Sequence, residues 1–508
     1  MCLKKIIKLS YKKYSTFIFW PQKLIIALIL IFSTIYISYL KLVAHFSLQT
    51  SSFDLGIHAN VAWNTIHGNF LYSSILGINY LGEHFSPIHF LTCFSLLIWE
   101  NAGVLLVLQS IGIALGGLAV YLLALKIIKE KIYSFFLMLC YLAYPYLHEM
   151  SKFDFHPIAL AVPAFLWCLY FWETEKRKAF FLSLFILLLI KENVPLIISG
   201  LSVFLIVRKK KKLGLIILVL SLLIFVFEIK FLTPFFRGHG ATYPYFYRYA
   251  NLGGSFSQII INIFTHPYLL LEESFLNPEK LHSVIKLFIL LGFIPFFAGK
   301  QFIPVVIPLI LNLISSYKPQ WEFSCQYSAT LIPFIFYATI YGFKNLQEII
   351  TNFSGSNILA IKGTMLSFLF LLIIVMKSNM PPYFGSYNKK HVKAAFEVFD
   401  SIPSDVSICA QSNLVPHLSM RKNIYHFRDV PGYDIRNAQY IILDLKGVTW
   451  PFTKESYIRA VMDLLINSQY GIVKEMDNVI LLKKNALKNR NKKVMNVLNP
   501  KGSVPSNV

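Results

Sequence analysis

Long apolar runs separated by short basic clusters set the pattern of this chain. The first run, 24–40, follows a basic N-terminus (1–23) and is closed by Lys41. At about 1.5 Å per residue it would be some 25 Å long as a helix, slightly short of a bilayer's hydrocarbon core. Its length and the closing lysine favour an uncleaved signal anchor over a cleaved signal peptide. A polar segment, 44–86, comes next. The apolar run 87–99 is too short to span and reads as an interfacial or re-entrant helix. Further spans are predicted at 103–125, 132–146, 158–172, 179–190, 194–207, 213–231, 284–298, 302–315, 328–343 and 364–376. The total is about eleven. The runs 179–190 and 194–207 are read as a hairpin, because basic clusters flank both ends and Lys191-Glu192-Asn193 sits between them.

From residue 381 the pattern changes. Strand-like runs at 406–410, 424–427, 440–443, 472–474 and 479–482 alternate with an amphipathic helix at 456–466. This predicts a small α/β domain, 381–484, after a helical membrane domain, 24–380. The basic, polar tail 485–508 is expected to lack regular structure. The fold class is therefore mostly α: a polytopic helical membrane protein with a small C-terminal α/β domain.

Composition agrees. Of the 508 residues 56% are hydrophobic and the mean hydropathy is +0.57, too apolar for a soluble protein. The net charge of +23 is gathered in clusters such as Lys4–Lys13, Lys126–Lys131 and Arg208–Lys212, between the apolar runs. That is the positive-inside pattern, not the basic stripe of a nucleic-acid binder, so no nucleic-acid partner is expected. It places the N-terminus in the cytoplasm. The segments 44–86, 148–157, 235–282 and 316–327, and the C-terminal domain, then lie outside an inner (plasma) membrane. The six cysteines are scattered without metal-ligand spacing, so no zinc site or disulfide framework is expected. Walker, dinucleotide and zincin motifs are absent.

Ionisable groups at a membrane edge are costly and need a reason. Asp54, Glu83 with His84, Asp154 with His156, and Lys191 with Glu192 all fall on the expected outer side, as do Gln326 and Tyr327. Asp54 suits a general base; from spacing alone the commoner role is a helix cap before an apolar run. Glu83 and His84 suit a metal or an orienting role, or local pairing within a loop. Asp154 and His156 can join the site or close a turn before Pro157. Lys191 can neutralise a phosphate, pair with Glu192, or snorkel to the interface.

Several of these residues together resemble a known family. Phe53-Asp54-Leu55-Gly56, Trp63-Asn64 with Gly68, His84-Phe85-Ser86-Pro87 with Gln109, Asp154-Phe155-His156-Pro157, Lys191-Glu192, Tyr327 with Pro333, and Tyr440-Ile441-Ile442-Leu443-Asp444 are similar to the signature of the DUF2079 membrane proteins. That family is thought to be related to GT-C glycosyltransferases. The resemblance implies a catalytic aspartate at Asp54, a polyprenyl-phosphate sugar donor and an α/β domain outside the membrane. His58-Ala59-Asn60, Glu83 and Cys325-Gln326 depart from the expected pattern. The departures bear on metal dependence and substrate choice.

The expectation is an inverting GT-C-type enzyme that moves a sugar from a polyprenyl-phosphate donor to an acceptor on the outer face. Asp54 would act as base. Glu83, His84, Asp154 and His156 would support it or bind substrate or metal. Lys191, Arg237 and Arg248 would meet the donor phosphate. Asn64, Glu192, Gln326 and Tyr327 would complete the pocket. A divalent metal, Mg or Mn, is the one cofactor this reading admits, and membrane lipid is the expected partner. The alternatives are a transporter or flippase for a lipid-linked or small polar solute, and a non-catalytic assembly factor using the outer domain as a binding module.

Overall fold

The computed structural model of the chain describes residues 2–238, 240–354, 358–428 and 438–498. Apolar helices make up most of it, and a small sheet domain sits on one end. Among the described residues, five helices are long and apolar enough to cross a membrane: Gln22–Phe46, Gly103–Ile128, Lys211–Arg237, Ile294–Leu313 and Leu359–Ser378. The other apolar runs are shorter helices, among them Ile88–Leu97, Lys131–Ala143, Pro157–Glu173 and Val194–Val207. Ile88–Leu97 is short, as expected. The expected count of about eleven takes in these shorter helices, because hydropathy counts each apolar run whatever the length of its helix. At about 1.5 Å per residue, Lys131–Ala143 reaches only some 20 Å, against a core of about 30 Å.

Backbone chemistry explains where the runs break. The stretch expected to span 132–146 stops at Tyr144, which is extended (ψ 119°) before Pro145 opens a second helix, Pro145–Lys152. A residue before proline is pushed out of the helical region. His148, expected in a loop, consequently lies on that helix. The stretch expected at 284–298 breaks at Gly292 and Phe293, both with positive φ (57° and 55°). The hairpin is present as Arg177–Leu188 and Val194–Val207, with Lys191 and Glu192 in the turn between.

The C-terminal sheet has the order β4-β3-β5-β7-β6. Its strands are β3 (Ile408–Ala410), β4 (Ile424–His426), β5 (Tyr440–Asp444), β6 (Tyr470–Met476) and β7 (Val479–Lys484); β1 (Tyr72–Ser73) and β2 (Ile78–Asn79) form a separate hairpin. β3 pairs in parallel with β4 and β5, while β7 pairs antiparallel with β5 and β6. Side chains alternate between two cores with the period of a strand. Cys409, Ile441, Leu443, Ile480 and Leu482 pack against the helix Lys454–Asn467. Ile408, Ala410, Ile442, Val479 and Leu481 face the other way.

That second core is shared. It contains Leu55, Ala59, Val61 and Ala62 from the segment after the first span, together with Val398, Leu414, Val415 and Leu418 of the C-terminal domain. A Cβ on Gly56 would sit 2.8 Å from Cγ1 of Val415, so a bare backbone is needed at this contact. Asn60 ties the same surfaces together by donating to the carbonyls of Ser419 (3.3 Å) and Arg421 (2.9 Å). The tail, expected to be irregular, carries a further helix at Asn491–Leu498.

Candidate active site

Asp54 lies in a tight turn between the first span and the helix Ile57–Ile66. Its backbone has φ 97° and ψ −92°, a strained conformation for a residue with a Cβ. Neighbours hold the turn in place. The Ser51 N–H donates to Asp154 at 2.8 Å. The Ser51 hydroxyl lies 2.6 Å from the Phe53 carbonyl and 3.1 Å from Asp154, and its single proton serves one of them. Ser52 meets Ser412 of the C-terminal domain. The Phe53 ring is edge-on to His426 and Trp450. Asp154 is thus a brace for the Asp54 turn.

The Asp54 carboxylate accepts no hydrogen bond among the described residues. Its side chain is 22% exposed, and His156 Nε2 lies 4.0 Å away, beyond hydrogen-bond range. The helix that follows is capped at Gly56 with no side-chain bond, which leaves the cap reading without support. Burial and the nearby Asp154 push the Asp54 carboxyl up to about 7, against the pull of Lys191 and Arg248. Burial also raises Asp154, to about 6.

Four imidazoles gather behind Asp54. His58 Nδ1 is 3.2 Å from His89 Nε2, and His89 Nδ1 is 2.5 Å from the Thr92 hydroxyl. The His156 ring lies 5.1 Å from His58 and 5.6 Å from His84, centroid to centroid. One donor atom each from Asp54, His58 and His156 lies within 4.8 Å of the others.

Beside this cluster is a cavity of about 70 Å³ lined by Lys191, Glu192, Arg248, Tyr243, Gln326 and Tyr327, among others. Glu192 does not pair with Lys191. Its Oε1 accepts from Tyr243 (2.9 Å) and meets His84 Nδ1 (2.9 Å). Burial pushes Glu192 up, but His84 and Lys191 outweigh it and bring the carboxyl down to about 2. Lys191 is 8% exposed and has no side-chain hydrogen bond or ion pair among the described residues. Burial lowers it to about 8. Arg248 also lacks a carboxylate partner among the described residues; its guanidinium sits over Tyr245 (4.3 Å), Tyr317 (4.8 Å) and Tyr327 (5.6 Å). Three buried oxygens of the lining residues have no partner among the described residues: Glu192 Oε2, Asn193 Oδ1 and Gln326 Oε1. The cavity therefore presents cations and unused acceptors together.

Two of the expected residues lie away from the cavity. Arg237 does not line the cavity. It is neutralised by Glu83 at 2.8 Å and bonded to the Gly82 carbonyl, while Glu83 also accepts from Tyr245 at 2.5 Å. A Cβ on Gly82 would come within 2.6 Å of the Arg237 backbone, so this contact depends on glycine. Asn64 is buried in the network that joins the helix to the C-terminal domain, donating to Asn60 Oδ1 at 3.3 Å. The expectations did not include His58, His89, Tyr243 or Tyr245 in the site. His58 had one local signal, its place four residues after Asp54, one helical turn on. His89 and the tyrosines had none.

A family model described as predicted membrane protein (DUF2079) matches residues 44–481. A comparison with curated proteins finds no match. Among solved structures, ArnT from Cupriavidus metallidurans, bound to undecaprenyl phosphate, is similar over 90% of this chain and 97% of its own, at 11% identity and a TM-score of 0.52. The archaeal oligosaccharyltransferase AglB from Archaeoglobus fulgidus, in complex with an inhibitory peptide and a dolichol-phosphate, is similar over 82% of this chain and 69% of its own, at 12% identity and a TM-score of 0.43. The likeness to ArnT shows a shared polytopic GT-C fold.

Proposed function

We propose a reaction for a chain that belongs to the DUF2079 family of predicted membrane proteins: transfer of a sugar from a polyprenyl-phosphate donor to an acceptor hydroxyl at the outer face of the membrane. The observation that carries the reading is Lys191 and Arg248, two cations without carboxylate partners among the described residues, in one cavity, both near enough to Asp54 to pull its carboxyl down. A carboxylate free of hydrogen bonds beside an anion-ready cavity suits base and leaving-group chemistry. The likeness to a structure that holds undecaprenyl phosphate supports the lipid class.

In the proposed step, an acceptor hydroxyl attacks the anomeric carbon and its proton passes to Asp54. The new C–O bond forms as the bond from the anomeric carbon to the phosphate oxygen breaks. The electron pair leaves with the phosphate, where Lys191 and Arg248 meet its charge. Attack from the face opposite the phosphate inverts the anomeric centre, through a transition state of oxocarbenium character. Burial keeps Asp54 basic enough near neutral pH to accept the proton. Asp54, His58 and His156 carry donors that fit a divalent ion, which when bound would add positive charge beside the base.

The transport reading calls for ionisable groups near the bilayer midplane. Glu228, buried in the span Lys211–Arg237, is 3% exposed with Oε2 unpartnered. It stands about 25 Å along that helix from Lys211, near the end that carries the cavity, which favours the enzyme.

The test uses purified protein in nanodiscs, a panel of polyprenyl-phosphate sugars, and release of polyprenyl phosphate as readout. Asp54→Asn is expected to abolish release while the melting transition stays. Full release by the variant would remove the mechanism.

A further inference from the structure

We propose that Asp54, His58 and His156 bind one divalent first-row transition ion of the zinc or cobalt type. The inference concerns the same site as the transfer reading but stands on side-chain geometry alone. It narrows the expectation of a divalent metal to a different ligand set, since Glu83 is paired with Arg237 and Asp154 accepts from Ser51.

With the Thr92 proton on the His89 carbonyl, the hydrogen bonds leave one nitrogen of His58 open. The Thr92 hydroxyl donates to the His89 carbonyl at 2.8 Å. Its oxygen is therefore an acceptor for His89 Nδ1 at 2.5 Å, and that nitrogen carries the proton. A neutral His89 then has its lone pair on Nε2, 3.2 Å from His58 Nδ1. His58 must donate there, which leaves the lone pair of its own Nε2 open. His58 is 2% exposed and His89 fully buried, and Nε2 of His58 has no hydrogen-bond partner among the described residues. A metal-binding histidine is oriented in this way, by a hydrogen bond from its other ring nitrogen.

Asp54 supplies the second open donor through one carboxylate oxygen, which leaves its other oxygen for the proton in the transfer reading. His156 supplies the third. Its Nδ1 accepts from the Ile158 N–H at 3.4 Å, a long contact. Binding through Nε2 moves the ring proton to Nδ1 and gives up only that contact. Two imidazoles and one carboxylate select zinc, cobalt, nickel or iron over magnesium, which prefers oxygen and keeps its waters. Three protein ligands also leave a coordination position open.

The experiment titrates metal-free protein in nanodiscs with Co²⁺ and then Zn²⁺, with neither donor nor acceptor present. Cobalt absorption bands and calorimetry are the readouts. One equivalent should bind, zinc should displace it, and Mg²⁺ should not. His58→Ala should abolish binding. His89→Ala keeps all three ligands but frees the tautomer, and should weaken binding on the order of 10–100-fold. His67→Ala, at an exposed ring stacked on Trp63, should change nothing. No binding by protein with a normal melting transition, equal binding by His58→Ala, or equal affinity for Mg²⁺ would overturn the proposal. Sugar transfer by protein that binds no ion would sink this inference and leave the transfer reading standing; binding without transfer would do the reverse.

Discussion

The brace between Asp154 and the Asp54 turn allows a quantitative prediction. Asp54 sits at φ 97°, a conformation that costs roughly 1–3 kcal/mol. Asp154 offsets this by accepting the Ser51 N–H at 2.8 Å. A hydrogen bond to a charged group contributes about 1.5–3 kcal/mol, and each 1.4 kcal/mol or so is a factor of ten. Asp154→Ala should therefore lower the population of the competent turn about 10–150-fold. The turnover number for polyprenyl phosphate release should fall by that factor. Donor KM should change little, because Asp154 does not line the Lys191–Arg248 cavity. Asp154→Asn, which keeps one acceptor oxygen, should fall at the mild end. Hydrogen exchange at residues 51–56 gives a readout free of any assumption about substrate, and should quicken in step with the loss of turnover. Asp154 also lies close enough to Lys41 to influence it, so the melting transition of each variant has to be followed alongside. A full turnover number in folded Asp154→Ala, or slow exchange unchanged from wild type, would refute the bracing role.

Two further outcomes follow from the C-terminal domain. Gly56→Leu places atoms where Val415 Cγ1 already sits, 2.8 Å from a Cβ, and should destabilise the protein by about 1–3 kcal/mol through overpacking; Val415→Ala should recover part of the lost melting temperature, and additive losses in the double variant would show that the two sites do not touch. His391 meets Asp444 through Nε2 and Asp477 through Nδ1, both at 3.0 Å. Burial works to lower its pKa, but the two carboxylates prevail and raise it above 6.5. Its stabilising effect is therefore full below about pH 6.5 and lost as pH rises through the raised folded value. Melting curves of wild type and His391→Gln should converge with rising pH; a gap that widens would contradict the assignment.

The shared core of loop and sheet bears on the reading of the C-terminal domain as a detachable binding module. Val398, Leu414 and Val415 are buried against Leu55 and Ala59, and Ser412 and Trp450 reach the residues on the N-terminal side of Asp54. The domain shapes the turn that carries the candidate base. Removing it would expose apolar surface on both partners.

Much of the architecture is written locally in the chain. The apolar runs announce helices, and the alternation Ile441-Ile442-Leu443 or Ile480-Leu481-Leu482 announces strands buried on both faces. Asp54, His84, Asp154, His156, Lys191 and Glu192 stand out because ionised groups at a membrane edge are costly. Helix length was less legible, since a hydropathy run does not reveal the break at Tyr144–Pro145 or at Gly292–Phe293 until backbone torsions are known. The partners of the charged groups were not legible at all. Nothing in the order of residues says that Arg237 is neutralised by Glu83, that Glu192 turns to His84 and Tyr243, or that Arg248 is left with tyrosine rings.

The sequence by itself determined the membrane class, the helical fold with a small C-terminal sheet, and the residue types able to do chemistry. Only the tertiary structure decided which of them meet. Helix and strand periods act over a few residues and can be read from neighbours, whereas His58, His156, Lys191 and Arg248 come together through the packing of segments far apart in the chain. That packing depends on the complementary shapes of whole surfaces, such as Gly56 against Val415 and Gly82 against Arg237, and on which hydrogen-bond partner each buried group finds first.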